Sequence, residues 1–221
     1  MTDAPQSMIS VMLARRDPSS QAIELSPELL IAAYSQGLFP MARGRHERGV
    51  EWFSPDPRAI LPLDGFRCPR TLRQIIRQGR FELRHDTAFE QVIRSCGAPR
   101  PGRPETWINR AIVEAFTGLH KMGMAHSVEA WRNGHLVGGL YGAALGGAFF
   151  GESMFHRPEL EGTDASKVCL AHLVEHLRNH GFELLDVQMN SPHMERFGVV
   201  EVPRGQYLAR LHQALRLHAS W

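Results

Sequence analysis

The sequence predicts an α/β protein built on a mixed sheet. Three observations carry that prediction. Residues 107–221 read as helix, three short strands, helix, strand, helix, strand, helix. Two tight-turn signals, Asn133-Gly134 and Gly146-Gly147, cut the strand run into a meander. The helix after the meander leads directly into a further strand, the order expected of a crossover to a parallel neighbour.

The elements follow in order. Residues 1–20 have Arg15 and Arg16 but no apolar core behind them, so they read as a loose leader rather than a signal peptide. Ser26-Pro27-Glu28 opens a helix, with Ser26 as N-cap and Pro27 at the first helical position, and Gly37 stops it. Ser54-Pro55-Asp56-Pro57 is a rigid turn before a strand at 58–63. Pro69 opens a second helix that Gly79 ends, strand 81–84 follows, and Thr87 is expected to cap a third helix reaching Cys96. Residues 97–105 are the most loop-like stretch of the chain. Helix 108–122 places Ile108, Ile112, Ala115, Phe116 and Leu119 at helical spacing. The meander strands are 125–132, 135–145 and 147–155. Helix 164–180, strand 182–188, helix 192–197, strand 199–202 and helix 204–217 complete the chain.

At 221 residues, with 43% hydrophobic and 22% charged, the chain is long enough to bury a sizeable core and ordinary for a globular protein. No apolar run reaches membrane-spanning length, so no membrane contact is expected. Cys68, Cys96 and Cys169 are few and scattered, which fits a reducing cytoplasm and no thiolate metal site. Residues 1–110 hold 16 arginines against 12 acids, and the remainder 9 basic residues against 11 acids; that asymmetry hints at a polyanionic partner for the N-terminal half.

Several residues invite a chemical reading, each beside a plainer one. Glu152, within Gly151-Glu152-Ser153-Met154-Phe155, is an acid in an aromatic and methionine-rich strand: either a pocket wall aimed at a cationic ligand or a strand-end acid paired with an arginine. Asp186 and Gln188 share one face of a strand while Leu185 and Val187 share the other; they are a catalytic pair or a solvated strand end. Arg70, Arg73, Arg77, Arg80 and Arg84 are spaced 3, 4, 3 and 4, a phosphate-tracking stripe or a solvated face. Trp52, Phe53 and Trp107 stack on a base or plug a core. His172-Leu173-Val174-Glu175-His176 matches a zinc-peptidase pattern, but without a third ligand it is set aside.

Taken together, these stretches resemble the leucyl/phenylalanyl-tRNA–protein transferases. The matching segments, in family order, are Ala33–Pro40, Trp52–Arg58, Thr106–Arg110, His126–Trp131, Gly138–Gly142, Gly151–Phe155, Ala165–Lys167 and Leu185–Gln188. The resemblance implies a small N-terminal domain, here 1–64, and a GNAT-like acyltransferase domain, here 65–221. It implies transfer of Leu, Phe or Met from aminoacyl-tRNA to proteins starting with Arg or Lys, for degradation by the N-end rule pathway. The acyl-CoA signature Q/R-x-x-G-x-G/A is absent before helix 164–180. Many family members carry an aromatic where this chain has Met41.

The ester donor is already activated, so the enzyme has to position an amine and stabilise an oxyanion. The pair Asp186/Gln188 is expected to hold and polarise that amine, with Asp186 orienting Gln188 or helping to move the proton. Glu152 is the candidate for the cationic acceptor. Met154 and Phe149 are candidates for the apolar pocket, on opposite faces of their strand unless a bulge intervenes. Trp107 and Trp52 are further substrate-binding candidates, and the arginine stripe is the tRNA candidate. No cofactor or metal is expected, and a monomer is. The rival readings are a CoA-dependent N-acetyltransferase and a non-enzymatic RNA-binding module.

Overall fold

A computed structural model describes residues 25–47, 49–100 and 104–221. The expected leader, and residues 101–103 of the 97–105 loop, lie outside the described residues.

The first helix, α1 (Pro27–Tyr34), begins as its sequence predicts: the Ser26 hydroxyl accepts the Leu29 N–H at 3.2 Å, and Gly37 takes a left-handed φ of 76°. Strands β1 (Phe39–Met41) and β2 (Glu51–Phe53) form a separate two-stranded sheet. Next come β3 (Arg58–Ile60), α2 (Arg70–Arg77), β4 (Glu82–His85) and α3 (Phe89–Cys96). Helix α4 (Arg110–Lys121) is capped by Asn109, whose Oδ1 accepts the Ile112 N–H at 2.9 Å. The meander is β5 (Ala125–Arg132), β6 (His135–Leu145) and β7 (Ala148–His156). Asn133 and Gly134 both have positive φ, as a two-residue type I′ hairpin turn requires. A 3₁₀ turn at Pro158–Leu160 precedes α5 (Ala165–Asn179), β8 (Leu184–Gln188), α6 (Pro192–Glu195), β9 (Val200–Val202) and α7 (Arg204–Ala214).

Seven strands form one sheet in the order β4-β5-β6-β7-β8-β3-β9. Every pair is antiparallel except β7 and β8, which run parallel across the α5 crossover, so the mixed α/β class holds. Apolar layers cover both faces. One joins α1, α3, α4 and α7 to Tyr141, Phe150 and Phe155; the other joins α5 to Leu140, Phe149 and Leu185.

One local expectation is corrected. Thr87 does not cap α3: the N-cap is Ala88, without a side-chain cap bond, the Thr87 hydroxyl donates to Glu129, and the Glu129 carboxylate accepts the Ala88 N–H at 2.7 Å. Glu129 lies fully buried on β5 and also accepts from Ser127 Oγ at 2.9 Å and Trp131 Nε1 at 3.0 Å. A carboxylate beside a helix N-terminus also gains from the helix dipole.

Candidate active site

The site forms where β7 and β8 run side by side. Opposite β6, Tyr141 pairs with Ser153 but Gly142 pairs with Gly151, so Glu152 is the extra residue of a β-bulge. Gly142 is needed there: a Cβ would lie 2.2 Å from the Phe150 carbonyl oxygen. The bulge reverses the alternation of β7. Phe149 and Met154 therefore face the same apolar layer, while Phe150 and Phe155 face the other.

Glu152, released from the ladder, is half-buried and pairs with no arginine among the described residues. Its Oε1 accepts the Tyr34 hydroxyl at 2.7 Å and Gln188 Nε2 at 3.2 Å. Burial pushes its carboxyl up to about 8; the Tyr34 hydrogen bond opposes that rise, and the negative charge of Asp186 adds to it. With its amide nitrogen given to Glu152, Gln188 keeps its amide oxygen as an acceptor.

Asp186 is fully buried. Arg58, also 0% exposed, grips it with Nε on Oδ1 at 3.0 Å and Nη2 on Oδ2 at 2.6 Å. The Tyr207 hydroxyl donates to Oδ2 at 2.7 Å, and the Gln188 backbone N–H to Oδ1 at 2.9 Å. Gln188, the last residue of β8, has a left-handed φ of 57°.

Two cavities meet at the Glu152–Gln188 contact. One, about 180 Å³, is walled by Leu140, Met154, Leu170, Leu173, Val187 and Met194. The other, about 150 Å³, is walled by Phe39, Met41, Trp107, Val187 and Met189. Both include Glu152 and Gln188. A larger cavity of about 580 Å³ sits at the other end of β8, among residues such as Leu61, Arg178, Glu183 and Arg210, away from this pair.

The structure therefore brings together Glu152, Met154, Trp107, Asp186 and Gln188. Two other expected pocket residues lie outside both walls. Phe149 shares the apolar layer of Met154 but is fully buried in it, stacked 5.4 Å from Trp221, and lines neither wall. Trp52 packs half-buried against the core, outside both walls. Of the arginines, Arg70, Arg73, Arg77 and Arg80 are exposed. Arg84 leaves the stripe: it pairs with Glu82 at 2.8 Å and lies over the Trp131 ring at 4.7 Å, because strand β4 turns it away from the α2 surface. The HxxEH histidines both pack against His85, with the His176 and His85 ring centroids 4.7 Å apart. His172 faces His85, Nε2 to Nε2 2.8 Å, while His176 stacks 4.0 Å from His180.

Sequence reasoning assigned no role to Arg58, Tyr207 or Tyr34. Arg58 had a usable signal: an arginine directly before Ala59-Ile60-Leu61 on a short strand has to find a buried acid.

Comparison with known proteins decides the family. The family model described as "Leucyl/phenylalanyl-tRNA protein transferase" matches residues 60–212, and the model for that family's N-terminal domain matches 23–56. A leucyl/phenylalanyl-tRNA–protein transferase of Paramagnetospirillum magneticum is 53% identical over 191 residues, covering 86% of this chain and 90% of the relative. The chain belongs to the leucyl/phenylalanyl-tRNA–protein transferase family. It is accordingly an aminoacyltransferase. Solved structures to which the chain is similar include a GCN5-related N-acetyltransferase-like protein from Streptococcus suis (14% identity, TM-score 0.38, 79% of this chain and 63% of that one) and a ribosomal-protein-alanine N-acetyltransferase from Brucella melitensis (13%, 0.36, 64% and 94%). Within the transferase family's matched span lie Glu152 and Gln188, which line both cavities, and the buried Asp186 beside them. Among the described residues no helix is long and apolar enough to cross a membrane.

Proposed function

We propose that this transferase moves Leu, Phe or Met from its tRNA to the α-amine of proteins beginning with Arg or Lys. The new N-terminus marks the acceptor for degradation by the N-end rule pathway in the cytoplasm. The observation that carries this reading is the Glu152–Gln188 contact at the junction of an apolar and an aromatic cavity.

The apolar cavity suits the side chain of the transferred residue. It is walled by methylene and methyl groups with little polar lining, so it distinguishes neighbours by about 1–3 kcal/mol per methylene and accepts several apolar residues. The cavity with Trp107, Phe39 and Met41 suits the 3′ end of the tRNA, where a ring stacks on a base. Met41 replaces a frequent aromatic there, and the contact becomes a flexible thioether one. An acceptor amine, of pKa about 8, loses a proton before it attacks. The Gln188 amide oxygen accepts one of its N–H groups and aims its lone pair at the ester carbonyl. Glu152 faces the cationic acceptor; an arriving positive charge favours its ionised form, so the carboxyl titrates as the substrate binds.

The exposed Arg70, Arg73, Arg77 and Arg80 supply phosphate contacts to the acceptor stem, giving affinity without reading sequence. The protein works as a monomer and needs no cofactor.

The test is incubation with tRNA carrying labelled leucine and a peptide beginning with Arg, without CoA or added metal. Transfer that survives a chelator and disappears when the peptide starts with Asp is the expected result. Bound tRNA without transfer supports an RNA-binding module instead, and turnover of acetyl-CoA supports an N-acetyltransferase.

A further inference from the structure

We propose that Arg58 and Tyr207 are positioning residues of the transfer reaction: they hold Asp186 as a saturated anchor that fixes Gln188, and Asp186 exchanges no proton with substrate. The inference rests on the function proposed above and goes beyond it by dividing the roles of the two β8 residues.

An ionised carboxylate offers about four lone-pair sites. Asp186 has all four occupied. Oδ1 takes Arg58 Nε (3.0 Å) and the Gln188 N–H (2.9 Å); Oδ2 takes Arg58 Nη2 (2.6 Å) and the Tyr207 hydroxyl (2.7 Å). The side chain is 0% exposed. A proton reaching it has to displace a hydrogen bond inside a closed site and leave Arg58 as an unpaired buried cation. Neither donor yields readily. The Arg58 guanidinium stays protonated beside Asp186, and burial together with that same negative charge holds the Tyr207 phenol far above its ordinary value.

The clamp draws on several parts of the chain. Arg58 Nη1 donates to the Gly37 carbonyl at 2.9 Å. The guanidinium carbon lies 4.8 Å from the Phe39 ring centroid and 4.6 Å from that of Tyr207. One cation thus ties the end of α1, strand β1 and helix α7 to strand β8. Phe39 and Gln188 both wall the aromatic cavity, so the same clamp sets its two sides relative to each other. The chain of contacts ends at Gln188. Its backbone N–H is held by Asp186, its φ is left-handed, and its side-chain amide is delivered to Glu152. A non-glycine residue keeps that backbone only where its surroundings enforce it.

The informative variant is Tyr207→Phe, which deletes one donor and keeps the ring. Arg58→Lys, which keeps the charge but loses the fork, is the second variant. Two readouts are needed. In steady-state transfer from Leu-tRNA to an Arg-peptide, Tyr207→Phe should lower kcat about tenfold, leave both KM values unchanged, and leave the shape of the kcat–pH profile as in wild type. Arg58→Lys should lower kcat further. In hydrogen exchange, the Gln188 backbone N–H should exchange at least tenfold faster in Tyr207→Phe while the amides of β5 and β6 keep their protection. Unchanged exchange at Gln188 overturns the proposal whether or not the protein transfers leucine, so failure of the anchor and failure of the function are told apart. A kcat within twofold of wild type also overturns it. So does a shifted limb of the pH profile that persists in a Glu152→Gln background, where the neighbouring carboxyl at about 8 is no longer present to cause it.

Discussion

Replacing Glu152 by Gln should change how stability depends on pH. The carboxyl sits at about 8 in the folded protein against an ordinary 4.5, chiefly because it is buried. The folded state therefore binds more protons than the unfolded chain between those values, and stability falls as pH rises. This contribution is fully present below pH 4.5 and lost as the pH passes through 8. One proton of difference gives a slope of at most about 1.4 kcal/mol per pH unit, or about 3.5 kcal/mol between pH 5 and pH 8. Glu152 is only half-buried as a residue, so solvent screening reduces the expected figure to about 2 kcal/mol. Gln keeps the acceptor oxygen for Tyr34 and does not titrate. Urea unfolding of both proteins from pH 5 to pH 8.5 measures the effect, and taking the difference cancels every other titrating group. The variant should gain about 2 kcal/mol relative to wild type across that range. Parallel stability curves would refute the burial argument and, with it, the placement of Glu152 beneath the Tyr34–Gln188 contact.

Further outcomes follow from the surface and the histidines. Replacing Arg70, Arg73 and Arg77 by Ala should weaken tRNA binding and flatten the salt dependence by about 0.7–0.9 for each phosphate no longer neutralised. Arg84→Ala should leave the slope alone, because Glu82 and Trp131 already occupy that side chain; filter binding across about 50–200 mM salt checks both. Burial, reinforced by neighbouring imidazoles, brings His176 down to about 4. Its folded pKa is depressed, so its contribution is present above the ordinary histidine value of 6.5 and is lost as pH falls toward 4. His176→Gln should therefore lessen acid destabilisation between pH 6.5 and pH 4, by about 1 kcal/mol after allowing for partial exposure. Equal acid unfolding of variant and wild type would remove the histidine cluster as the cause.

How much of this was legible in the sequence depends on the distance over which each feature is decided. The Ser26 and Asn109 caps and the Asn133-Gly134 turn are settled within four residues, and each stands where its local chemistry puts it. Thr87 misleads because the competing acceptor, Glu129, lies 42 residues away on a neighbouring strand. Arg84 continues the arginine spacing in sequence, but helical spacing means nothing once Gly79 has turned the chain and β4 has begun. For the site, the sequence pointed to Glu152, Asp186 and Gln188 but not to how they divide the work. Asp186 and Arg58 are 128 residues apart, and an acid alternating with Gln188 along a strand looks the same whether it is solvated or clamped.

The bulge in β7 links these levels. Period-2 alternation would send Phe149 and Met154 to opposite faces, and an unbroken ladder would keep residue 152 in register. One extra residue releases Glu152 from the ladder and places Met154 in the apolar wall. That requires a partner residue without a side chain, and Gly142 supplies it within Gly138-Gly139-Leu140-Tyr141-Gly142, where the Phe149 ring and Phe150 carbonyl fill the space a Cβ would take. The glycines of β6 and the acid of β7 are thus one feature read from two strands. The irregular ladder places a carboxyl of raised pKa within reach of the Gln188 amide, between two cavities, which a regular strand pair cannot do.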